Sequence, residues 1–184
     1  MNRREELAEQ ATDYVLEEGL IGLSLRPLAA ALGTSDRMLN YHFGSKDELV
    51  ASVLGVSTER SSAQIRALKP AKTVRQAVLD LWTALTGAEQ QRCQRMYVEA
   101  AALGLFGHEP YATAVRNGNT VWLEAMREFL VASGAPVRRS KRMVALLDSA
   151  FMGFQLDLTL DESDVDISRT VQDLADAVES LATR

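Results

Sequence analysis

The stretch LSLRPLAAALGTSDRMLNYHF, from Leu23 to Phe43, decides how this chain is read. Ser24 offers an N-cap, and Pro27 falls in the first turn, where its missing N–H costs no helix bond, so a short helix starts at Leu25. Gly33 stops it. Thr34 or Ser35 then caps a second short helix over Asp36 to Phe43, which Gly44 ends. Two short helices joined by three or four residues that include a glycine form a helix-turn-helix, whose second helix is sized for a DNA major groove. Ala29, Ala30 and Ala31 allow the two helices to approach closely, and Leu28, Leu32, Met38 and Leu39 supply a small core. On spacing alone, an ordinary helical hairpin fits the same pattern.

The neighbouring segments are helical too, because apolar residues recur at three and four rather than two, between glycine and proline breaks. Asn2 and Glu5 form a capping pair for a helix to Glu18, with Leu7, Ala8, Ala11, Tyr14 and Val15 as its stripe and Glu5, Glu6, Glu9, Asp13 and Glu17 opposite. Ser45 and Glu48 open a fourth helix that runs past Gly55 towards Pro70. Further helices are expected over 73–85, 89–103, 110–132, 139–158 and 166–181. In the block 110–132, Asn117-Gly118-Asn119 is turn chemistry, so a kink or a split into two helices is an open alternative there. The expected class is all-α.

Composition narrows the function classes. The 184 residues are 47% hydrophobic and 24% charged, enough for one full core or two small ones. A single cysteine, Cys93, forms no intramolecular disulfide and reads as a small apolar residue. The opening MNRREELAEQ lacks the apolar stretch of a secretory signal, and no run approaches the roughly 18 apolar residues of a spanning helix, which predicts a cytoplasmic protein with no membrane partner. With two histidines, no HExxH, GxSxG or GxxxxGK[ST] motif and no cysteine pair, the expectation is no catalysis, metal or cofactor. The acidic run Asp157, Asp161, Glu162, Asp164 and Asp166 lacks the central glycine of a calcium loop and reads as a solvated connector.

The net charge of −5 argues against a polyanionic partner until it is resolved locally. Residues 1–50 hold nine acids and five bases, but six of those acids sit on the first helix, whose charged face is free to point away from DNA. From Gly33 to Lys46 the balance reverses: Arg37, His42 and Lys46 face the single acid Asp36. Thr34 and Ser35 stand at a helix N-terminus, where free N–H groups favour phosphate. Arg37 can donate bidentately to guanine and Asn40 to adenine, each pair giving about 1–3 kcal/mol of discrimination.

Leu23 to Ser35, followed by Leu39, Tyr41-His42-Phe43 and Ser45-Lys46-Asp47-Glu48-Leu49, closely resembles the N-terminal DNA-binding domain of the TetR (tetracycline-repressor-like) family, over roughly residues 3–54. The resemblance implies a three-helix DNA-binding domain over 1–50 and a helical effector-binding and dimerisation bundle over 51–184. It implies that Tyr41, His42 and Lys46, with Thr34 and Ser35, hold the DNA backbone. Core packing is the competing reading for Tyr41 and Phe43, and a plain helix-end position for His42. Asn40 stands where the family often has tyrosine, so an operator sequence does not carry over.

Beyond the resembling segment, Val144, Leu147, Phe151, Phe154 and Leu158 form one heptad-like seam and Ile167, Val171, Leu174, Val178 and Leu181 another. Meeting a symmetry mate, such a pair makes a four-helix dimer interface; a monomer core produces the same stripes. The resemblance favours a homodimer on a palindromic operator. It also implies a cavity for a small apolar or amphipathic effector, for which Trp82, Met96, Tyr97, Phe106, Trp122, Met126, Phe129, Phe151 and Gln155 supply large adaptable side chains; ordinary core packing is the stronger reading for most of them. Repression with effector release is the implied mode. The rival function is a helical protein-interaction module that never touches DNA.

Overall fold

A computed structural model describes residues 2–160 and 167–183. The described residues are helical without a strand: α1 (Arg3–Glu18), α2 (Leu25–Ala31), α3 (Asp36–Phe43), α4 (Lys46–Arg66), α5 (Val74–Leu85), α6 (Ala88–Leu105), α7 (Tyr111–Ala132), α8 (Val137–Leu160) and α9 (Ile167–Thr183). The capping chemistry sits where the side chains require it. Asn2 and Glu5 close a reciprocal capping box on α1, and Ser35, Ser45 and Thr73 accept from backbone N–H groups at the starts of α3, α4 and α5. Gly33 and Gly44 take φ of 63° and 84°, left-handed conformations that glycine adopts without steric cost and that turn the chain on either side of α3.

Packing divides the chain into Met1–Ser61 with Ala88–Val121, and Ser62–Gly87 with Trp122–Arg184. In the first unit, Leu7, Ala11 and Val15 of α1 meet Leu28 of α2, Leu39 and Phe43 of α3, Leu49, Val50 and Val53 of α4, and Cys93, Met96 and Ala100 of α6. The unit thus does not end at residue 50. Three short helices cannot cover their own apolar faces, and α6 supplies the missing side of that core. Buried in it, Cys93 packs as an apolar residue.

The second unit is built on Ile65, on Val74, Val78 and Leu81 of α5, on Met126 and Leu130 of α7, and on α8 and α9. Here the heptad seams take the intrachain reading. Val144, Leu147 and Phe151 are 3%, 0% and 2% exposed and Val171 and Val178 2% and 0%, because α9 packs against both α5 and α8 of its own chain. Burying such side chains stabilises by roughly 1.5–3 kcal/mol each, so they are core and not a surface waiting for a partner. Phe154, Ile167, Leu174 and Leu181 are half-buried on the flanks. The side chain of Leu158 lies outside the described ones, as do Asp161, Glu162, Asp164 and Asp166 of the acidic run.

The block 110–132 resolves as one unbroken helix, α7, despite Asn117-Gly118-Asn119. Gly118 is required for proximity: a Cβ built there would lie 2.8 Å from Thr58 Oγ1 on α4. Gly118→Ala should therefore lower stability by about 1 kcal/mol, overpacking outweighing the better helix propensity of alanine. Adding Thr58→Ala removes the clash and should return the melting temperature to or above that of the parent. Thermal unfolding followed by circular dichroism reads both, and a stabilised Gly118→Ala single variant would contradict the close crossing.

Candidate nucleic-acid interface

Helix α3 is anchored by its inward residues and leaves its outer face open. Leu39 and Phe43 are buried in the core of the first unit, whereas Asp36, Arg37, Met38 and Asn40 are exposed and Tyr41 is 78% exposed. Arg37 and Tyr41, one turn apart, stand at the middle of that face with Asn40 and Met38 on its flanks. The core-packing reading therefore holds for Phe43 and fails for Tyr41. The Tyr41 ring meets half-buried His42 edge-on at 5.1 Å between centroids. At the other end of the helix Ser35 Oγ accepts from Met38 N at 3.3 Å, while half-buried Thr34 donates its backbone N–H to Ala29 O at 2.9 Å.

Charge is arranged as the local count requires. Arg60 of α4 reaches across to α1 and binds both Glu9, at 2.5 Å, and Asp13, at 2.6 Å. Burial pulls the Arg60 pKa down, but the hydrogen bonds and charges of Asp13 and Glu9 outweigh it, so the guanidinium is held above its ordinary value. Two of the six acids on α1 are thereby paired within the chain, at its surface. Arg4 lies over the Phe43 ring at 5.4 Å, close to the end of α3, and Arg26 of α2 and Arg37 are exposed.

Lys46 has a second task. Its Nζ donates to Leu23 O at 2.5 Å, tying the start of α4 to the residue before the helix-turn-helix. Two of the three ammonium protons remain for an anion. Lys46→Ala should weaken duplex binding to a similar degree on every sequence and make the salt dependence shallower by about one phosphate per contact. It should also cost about 1 kcal/mol of stability for the lost carbonyl bond. Affinity measured against salt on cognate and random duplexes tests this; an unchanged slope would remove Lys46 from the phosphate contacts.

Sequence reasoning missed a clamp on the other side of the first unit. Glu99 of α6 accepts from the backbone N–H groups of Leu20, at 2.6 Å, and Ile21, at 2.8 Å, in the α1–α2 connection. One turn earlier Arg95 donates to Leu16 O at 2.8 Å and Glu17 O at 3.0 Å, carbonyls that the end of α1 leaves without helical partners. Arg95 and Glu99 are separated from their partners by nearly 80 residues, so no local pattern announces them.

The residues expected to line an effector cavity are divided between the units. Met96 is buried in the core of the first unit, Tyr97 is half-buried there, and Phe106 is 82% exposed beyond the end of α6. Trp82, Trp122, Met126, Phe129, Phe151 and Gln155 belong to the second unit. There Trp82 packs against Phe151 and Phe154, with centroids 5.4 and 5.9 Å away, and Gln155 Nε2 donates to Leu85 O at 3.1 Å.

Residues 7–53 match the profile of bacterial regulatory proteins of the tetR family. The HTH-type transcriptional regulator PksA of Bacillus subtilis (strain 168) is 32% identical over 84 residues, 43% of this chain, and the match spans 41% of that relative's length. A transcriptional regulator from Rhodococcus sp. Rha1 superposes with a TM-score of 0.74 at 20% identity, covering 98% of this chain and 96% of its own. The multidrug binding protein EbrR, in a crystal structure with ethidium, gives 0.69 at 22% identity over 97% and 99%. At these identities the two structures establish a shared all-helical fold.

Proposed function

We propose, from the match of residues 7–53 to the tetR-family profile, that this chain is a sequence-specific DNA-binding transcriptional regulator, a repressor that leaves its operator when a small effector binds. The observation that carries this reading is the free outer face of α3. Arg37, Asn40 and Tyr41 point away from the protein on a helix of groove-entering length, held by buried Leu39 and Phe43. Arg37 and Asn40 read base edges, and Tyr41, His42, Lys46, Thr34 and Ser35 hold the backbone on either side. The DNA-binding module is residues 1–50, steadied by α6.

One helix reads half a site, so two copies are needed to cover half-sites about 34–36 Å apart, and the operator is palindromic. The core seams of α8 and α9 being closed within the chain, the second copy docks on the outward side of α8. There Ala145, Leu146, Ser149 and Leu156 are exposed, following exposed Arg138, Lys141 and Arg142 at the start of the helix. EbrR, of similar fold, takes ethidium, which supports a small-molecule effector for this chain. Helix α4 contributes Val53 to the first core and Ile65 to the second, and is the covalent route for a population shift of about 1–3 kcal/mol between binding states. A regulator needs no catalytic group and works in the cytoplasm.

The test is selection of duplexes from a random pool by the purified protein, followed by gel shift at several salt concentrations and sedimentation of the complex. Enrichment of a palindrome, a steep negative salt slope and two chains per duplex are expected. Absent or salt-insensitive binding would favour the protein-interaction module.

A further inference from the structure

On α8, Asp148, Phe151 and Gln155 follow at three- and four-residue spacing, and each is met by a different group of the second unit. Trp122 of α7 donates its indole N–H to Asp148 Oδ1 at 3.0 Å. Trp82 of α5 packs on Phe151 and edge-on against Phe154, and the Leu85 carbonyl receives Gln155. Asp148, Trp82, Trp122, Phe154 and Gln155 are all half-buried, so the carboxylate with its indole partner, and the Trp82 cluster further along α8, are each partly open to solvent.

The carboxylate is the anomaly. Burial raises its pKa above the ordinary aspartate value and the Trp122 N–H only partly offsets that; no cation pairs with it among the described residues. A half-buried charge whose sole bonded partner is a neutral donor is incompletely compensated. What it lacks is a positive charge that tolerates apolar walls, and indole faces attract such a charge within about 6 Å. A hydrated metal ion fits this environment poorly, since it needs several oxygen ligands and the site offers one carboxylate beside rings. A neutral apolar ligand would leave the carboxylate as it is.

We propose that Asp148 and Trp122 anchor a binding site for a small organic cation carrying an apolar or aromatic body, which the Trp82–Phe154 pair further along α8 would receive. This rests on the effector reading above and assigns its chemical class and anchor. The carboxylate supplies the charge complement, the indoles supply flat apolar contact and cation–π attraction, and the Trp122 N–H fixes the orientation of the carboxylate.

Trp82 and Trp122 are the only tryptophans in the chain and both belong to the second unit, so selectively excited tryptophan fluorescence reports on that unit alone. The probes are methyltriphenylphosphonium and triphenylphosphine oxide, nearly equal in shape and different in charge, titrated without DNA. The cation should bind at least tenfold tighter than the oxide. Asp148→Asn should erase that preference with the affinity for the oxide unchanged, and Asp148→Glu should keep it. Trp122→Phe, which leaves the carboxylate in place, should retain the preference even if Asp148→Asn fails to fold. Equal affinity for the two probes, a preference that survives Asp148→Asn, or no fluorescence response to either probe would overturn the proposal. Since no duplex is present, these outcomes are separate from the success or failure of the DNA-binding reading.

Discussion

Arg37→Ala should abolish most of the preference of this protein for its selected duplex while leaving its affinity for random DNA nearly unchanged. Arg37 stands at the centre of the open face of α3 and makes no ion pair with any described residue, so its planar fork is free to engage a guanine edge. Losing one bidentate contact removes about 1–3 kcal/mol per half-site, roughly five- to 150-fold, and a two-copy complex loses it twice. Because the side chain is exposed, the melting temperature should not move. Fluorescence anisotropy on the selected duplex and on a scrambled one separates the outcomes. If both affinities fall together, Arg37 touches phosphate and some other residue reads the sequence.

Glu99→Ala should be the most damaging single change outside the apolar cores, and it acts on the reading head from a distant helix. It leaves the Leu20 and Ile21 N–H groups without the carboxylate that accepts from both. Hydrogen bonds to charged groups contribute about 1.5–3 kcal/mol net, and Leu20 is buried, so water cannot fully replace the acceptor. A loss of about 2–3 kcal/mol is expected in urea denaturation. Amide exchange at Leu20 and Ile21 should accelerate. Glu99→Gln keeps an acceptor oxygen and should lose less. Arg95→Ala should cost below about 1 kcal/mol, since that side chain is half exposed and its carbonyl partners lie near solvent. The connection held by Glu99 leads directly into α2, so Glu99→Ala should also weaken duplex binding without changing sequence preference. Unchanged exchange rates at both amides would show that the clamp holds nothing.

The head was legible from residues 23–49 because its signals are local. Ser35 before a short apolar pattern, glycines at 33 and 44 and the Ser45–Glu48 pair each constrain the backbone within a few residues, and the helices start and stop accordingly; Ser24 stands at the N-cap of α2 without a side-chain capping bond. Gly118 was misleading for the same reason. A glycine between two asparagines has local turn chemistry, but the close approach of Thr58 from a helix 60 residues earlier is what it serves.

The α8 and α9 seams show the limit from another side. A repeat of three and four says that a face is apolar and says nothing of which chain covers it; here α5 and α9 do, so the seam that suited a partner is internal. The scattered large side chains between 82 and 155 carried no positional signal either, and Met96 and Phe106 proved to belong to the first unit, one buried and one exposed. Asp148 was passed over because a lone aspartate on a helix is ordinary until its burial and its indole partner are seen.

Read alone, the order of residues determined the all-helical class, the limits of nearly every helix and the helix-turn-helix with its outward Arg37 and Asn40, since caps, glycine turns and side-chain spacing act over one or two turns. Tertiary structure decided which faces are closed, the binding of Glu9 and Asp13 by Arg60, the hold of Arg95 and Glu99 on the end of α1, and the pairing of Asp148 with Trp122. The hydrogen bonds among them join residues 26 to 79 positions apart, and the closed faces residues still further apart, which only the packed chain brings together.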